Sequence, residues 1–140
     1  MNGKFRTLIF ICILSIPLVS CANLQEAGKK FWGSSTEALE RKRGQGEVAA
    51  FRCSFSGCFT ECLEILESME AEVFKKDSQI GQIIAINFED AIDTTEVGLF
   101  FKAEKPNLTS VEIICLNSHL QDAASSYIFS KLNEKFKVAK

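Results

Sequence analysis

Three apolar, β-branched runs joined by short polar connections constrain this chain more than any other feature: Ile80 to Phe88, Thr95 to Ala103 and Thr109 to Leu116. Consecutive strand signals this close together, the last two split by the Lys105-Pro106-Asn107 turn, predict an antiparallel meander. Side chains alternate across a strand, so Val97, Leu99 and Phe101 share a face with Val111, Ile113 and Cys115. Phe100 and Ile114 then point the other way. That leaves apolar groups on the opposite face and makes the pair a candidate interaction surface.

The flanking segments supply the layer that buries this sheet. Val48 to Phe55 alternates, with Ala49, Phe51, Cys53 and Phe55 on one side, which predicts a half-buried strand. Ser56 is the expected cap of a helix whose stripe is Phe59, Cys62, Leu63, Leu66, Met69 and Val73, with Lys75 and Lys76 at its C-terminus. Glu61, Glu64, Glu67 and Glu70 form its outer face. Ser118 with Gln121 reads as a capping box for a last helix carrying Ala124, Ile128, Leu132 and Phe136. The expected fold is α+β, in the order β-α-β-β-β-α, with an antiparallel sheet of about four strands and two helices on one face. Twelve Phe against one Tyr and one Trp point to a core filled without polar handles.

Upstream, Lys4 and Arg6 precede an apolar run from Leu8 to Leu18, and small residues close the segment. That is the layout of a secretory signal peptide, and the run is too short to span a bilayer as a helix. Asn23 to Lys30 reads as a polar tether, followed by Phe31 and Trp32. Ser34 and Glu37 predict the start of a short helix that ends at Arg41-Lys42-Arg43 before Gly44. Gly44-Gln45-Gly46 reads as a flexible joint. The expected organisation is a signal peptide over 1–20, a tether with a short helix over 21–46, and the α+β domain over 47–140.

Leu18-Val19-Ser20-Cys21 resembles the lipobox of bacterial lipoproteins. The resemblance implies cleavage before Cys21, diacylglycerol on its sulfur and a fatty acyl chain, such as palmitate, on its new amino group. Several chains together make a firm anchor where one is marginal. Cleavage before Asn23 at an ordinary small-x-small site is the alternative. Ala22, which is not an aspartate, implies sorting to the outer membrane in a Gram-negative cell. The lipobox, the Gly33-Ser34-Ser35-Thr36 to Leu39-Glu40 segment, and Asp93 to Phe101 leading to Ser130-Lys131-Leu132 together resemble a group of small bacterial lipoproteins of unknown function. The element order is similar, as a fold type, to helix-grip domains in lipoprotein subunits of the outer-membrane β-barrel assembly machinery.

Once Cys12 leaves with the signal and Cys21 is acylated, Cys53, Cys58, Cys62 and Cys115 remain. Export allows pairing, and the expected bridge joins Cys53 to Cys58 or Cys62. A thiol redox role would use Cys58 in a first helical turn, where a thiolate is stabilised, but there is no Cys-x-x-Cys. Cys58-x-x-x-Cys62 lacks the second pair that a zinc site needs. His119 beside Ser118 and Asp122 has no positioned nucleophile, and Glu89, Asp90 and Asp93 read as an exposed acidic loop.

A formal net charge of −2, with no concentrated basic element, argues against nucleic acid as a partner. The expectation is a lipid-anchored, non-enzymatic envelope module with no cofactor beyond its acyl groups, bound to the membrane and to another envelope protein. The alternative is a periplasmic carrier of a small apolar ligand. Mass spectrometry of the mature N-terminus should find acyl mass on Cys21; a chain starting at an unmodified Asn23 would remove the anchor.

Overall fold

The computed structural model describes residues 35–88 and 96–139, within one compact unit spanning Ser34–Lys140. A helix over residues 35–41 (α1) comes first. It is followed by β1 (Glu47–Phe51), α2 (Phe55–Ser68), β2 (Glu72–Asp77), β3 (Gln82–Ile86), β4 (Val97–Lys105), β5 (Leu108–Cys115) and α3 (Ser118–Lys135). The strands form one sheet in the order β1-β5-β4-β3-β2, and every neighbouring pair is antiparallel. The α+β architecture is as expected, with five strands instead of about four.

The additional strand is β2, and it exists because α2 stops early. Glu70 adopts a left-handed φ of 54°. Its N–H donates to Glu67 O at 3.0 Å, and the Ala71 N–H donates to Leu66 O at 3.1 Å. These two bonds make a Schellman closure, which satisfies the last carbonyls and turns the chain away from the helix axis. Val73, Lys75 and Lys76, expected at the end of the helix, therefore lie on a strand paired with β3. The helix starts also shift. Ser54, not Ser56, caps α2 by accepting from the Gly57 N–H at 3.2 Å. Asn117 caps α3 through the His119 N–H at 3.0 Å. Gln121 instead ties α3 to β5, accepting from the Cys115 N–H and donating to Ile113 O, both at 2.7 Å.

The main core lies between the sheet and helices α2 and α3, where Phe51, Leu66, Ile83, Leu99, Ile113, Ile128 and Leu132 are wholly buried. Val97, Leu99, Phe101, Val111, Ile113 and Cys115 all face this layer, as their alternation predicts. On the other face, Ile84, Phe100 and Ile114 form a second cluster with Leu39 of α1.

That cluster corrects two expectations. Phe100 and Ile114 are not an open interaction surface: they are 3% and 2% exposed, in one cluster with a side chain of the chain's own helix. The helix before β1 accordingly belongs to the folded unit, not to the tether, and the domain begins near residue 34 instead of 47. Gly44-Gln45-Gly46 is a fastened link. The Glu112 carboxylate accepts from the Gly44 N–H at 2.6 Å and the Gly46 N–H at 3.0 Å. A Cβ at Gly46 would lie 2.4 Å from Ile113 O, so only glycine allows this approach. The Arg43 guanidinium sits 4.7 Å above the Phe100 ring and adds a cation–π contact at the end of α1.

Both sheet edges are guarded. The C-terminal tail meets β1, with the Arg52 N–H donating to Lys137 O at 2.9 Å and the Ala139 N–H to Ala50 O at 2.8 Å. Strand β2 carries a bulge between Val73 and Lys75, and Lys75 and Lys76 follow it; both features discourage edge pairing. The fastened α1 makes a prediction. Leu39→Ala deletes a wholly buried side chain and should lower stability by about 2–5 kcal/mol, read as a lower urea midpoint for the whole domain. An unchanged midpoint would mean that α1 adds nothing to the fold.

Candidate functional site

Two of the cysteines meet at the β1–α2 junction. Cys53 and Cys58 form a disulfide with their Cα atoms 5.9 Å apart, so of the two expected partners for Cys53 the structure takes Cys58. Both are buried. Cys62, one turn further along α2, and Cys115 are free thiols in the core. Burial pushes both thiols up from their ordinary range, which disfavours the reactive thiolate. The redox reading relied on a thiolate at Cys58, and that sulfur is bonded to Cys53.

His119 is exposed at the start of α3. Among the described residues no group of three or more His, Cys, Asp or Glu could hold a metal ion. The acidic loop Glu89, Asp90 and Asp93, the aromatic pair Phe31 and Trp32, and Cys21 lie outside the described residues.

Beneath α1, two buried polar groups are incompletely paired. Gln82 is 1% exposed; its Nε2 donates to Glu40 Oε1 at 3.0 Å, while its Oε1 has no partner. Glu96 is 3% exposed and its Oε2 also lacks a partner. Burial pushes the Glu96 carboxyl above the usual carboxylate range, and a hydrogen bond with the Ser35 side chain pulls the other way. Because the folded state holds this proton more tightly, the stability it contributes is present at low pH and lost as pH rises through the folded value.

An open apolar feature lies between α2 and β2. Two contiguous depressions of about 610 and 410 Å³ share Leu63 and Lys76. Their apolar floor is a stripe on α2, Phe55, Phe59 and Leu63, continued by Val73 of β2. Phe55 and Phe59 stack with centroids 6.0 Å apart, and Phe101 of β4 supports both from 6.2 and 5.1 Å. Thr60, Lys76, Gln79, Glu67 and Glu70 form an exposed polar rim. The comparable groove between α2 and α3, about 530 Å³, is spanned by Lys135, which contacts Glu61 and lies 3.9 Å from Glu64, while Lys131 and Glu134 pair within α3 at 3.0 Å. Among the described residues no cation pairs with Glu67 or Glu70.

Periodicity assigned Phe59 and Leu63 to the core stripe, and they do reach it in part. Their second role was invisible because the facing wall is β2, which the pattern had read as helix. No protein-family model matches the chain, and a search of curated proteins finds no match.

The buried carboxyl yields a pH prediction. Urea stability should decline as pH climbs above the ordinary carboxylate range, and Glu96→Gln, which keeps an acceptor for Ser35, should flatten that decline. Parallel pH profiles for the two proteins would show that Glu96 is not its source.

Proposed function

We propose that this chain is a lipid-anchored cell-envelope protein, held through acyl groups on Cys21 at the periplasmic face of the outer membrane in a Gram-negative cell. Its domain serves as a non-enzymatic module that binds another envelope protein. The lipobox-like Leu18-Val19-Ser20-Cys21 supports the location. The observation that carries the binding role is the trough between α2 and β2, an apolar floor with a polar rim on a domain whose two sheet edges are guarded. Partner sites commonly combine an apolar centre with a polar margin.

A carrier of an apolar ligand would need space between sheet and helices. Leu66, Ile83, Leu99, Ile113, Ile128 and Leu132 occupy that layer with no exposure, so the geometry favours an external partner.

Crosslinking in intact envelopes, followed by mild extraction, should recover a protein neighbour. The adduct and the membrane association should both be lost in Cys21→Ala. A correctly acylated, membrane-bound protein that yields no protein adduct would end the binding role.

A further inference from the structure

We infer that the α2–β2 trough takes a cationic amphipathic helix of the partner protein, with apolar side chains set against Phe55, Phe59 and Leu63 and a Lys or Arg facing Glu67 and Glu70. This rests on the partner-binding reading above and names the chemistry of the partner. The floor is prepared for such a guest: Phe55 and Leu63 are half-buried, and the stacked Phe55–Phe59 pair is braced by Phe101. Rings already held in place lose little freedom on binding.

Charge selects the guest. Helix α2 presents Glu61, Glu64 and Glu67 at three-residue steps, and Glu70 follows just past its C-cap. Lys135 answers the first two from α3. Glu67 and Glu70 stand exposed at the trough with Lys76 across from them and no ion pair among the described residues. A cation on the guest meets a site the fold leaves unanswered. The same carboxylates repel an anionic bilayer, which favours a protein over a lipid surface.

The mode of docking follows from the edge. Strand addition needs a regular run of free backbone groups, whereas β2 is interrupted by its bulge and carries two lysines after it. The guest therefore binds through side chains laid into the groove, as a helix does.

The test uses the full acylated protein in living cells, with a photoreactive residue at Thr60 on the trough rim or at Tyr127 on α3. The crosslinked partner segment is then identified by tandem mass spectrometry. The expected result is an adduct from Thr60 to a segment that combines apolar residues at helical spacing with a Lys or Arg. Its yield should fall about five- to tenfold in Glu67→Lys/Glu70→Lys, in keeping with two exposed charge pairs, and recover when the partner's cation is reversed. Both substitutions are at exposed positions; far-UV circular dichroism and an intact Cys53–Cys58 bond report the fold.

A yield unchanged by the charge reversal, a captured segment without a cation, or a lipid adduct at Thr60 would each overturn the inference. Protein adducts from Tyr127 alone would remove the trough while leaving a partner-binding module. No protein adduct from either position would remove that reading as well.

Discussion

The central strands of this sheet are apolar on both faces, and the rest of the architecture answers that constraint. Strand β3 is buried along its whole length, and β4 and β5 send Leu99 and Ile113 one way and Phe100 and Ile114 the other. A sheet of this kind is stable in water only when each face is covered. Helices α2 and α3 cover the larger face. The smaller face has α1, seven residues long and too short to persist alone. It is held by Leu39 in the second cluster, Arg43 over Phe100, and the Glu112 carboxylate on the link that follows.

This arrangement is not free of cost. Placing α1 over the sheet buries one oxygen of Gln82 and one of Glu96 without partners, and each such group costs about 1–3 kcal/mol. The Cys53–Cys58 disulfide works in the opposite direction. It closes the β1–α2 junction beside the Ser54 cap and reduces the freedom of the unfolded chain, the usual route by which cross-links stabilise small domains.

The trough is a product of one left-handed residue. Had α2 continued past Ser68, Val73 and Lys76 would have remained on its own surface and no facing wall would exist. The Schellman closure brings the chain back as β2, so that a helix stripe and a strand stand side by side with a gap between them. The carboxylates along this side are thereby divided: Lys135 of α3 answers Glu61 and Glu64, while Glu67 and Glu70 have no ion pair among the described residues.

Local pattern alone determined a good deal. Alternation in 97–101 and 111–115 identified which side chains face the helices, and the period of α3 identified Ala124, Ile128 and Leu132, because both follow from the geometry of a single element. The proposed anchor at Cys21 likewise rests on a resemblance carried by four residues. What only the tertiary structure decided were relations between segments distant in the chain. Residues 72–77 join the sheet because β3 offers an edge to pair with, which overrides the helical spacing of Val73. Phe100 and Ile114 are closed off because a helix sixty residues upstream folds back over them, with Glu112 fixing its link. Cys58 and not Cys62 bonds Cys53 because the turn between β1 and α2 brings the Cys58 Cα to 5.9 Å, within bridging range. Sequence periodicity records which way a side chain points from its own backbone; what lies opposite it is fixed only when the layers meet.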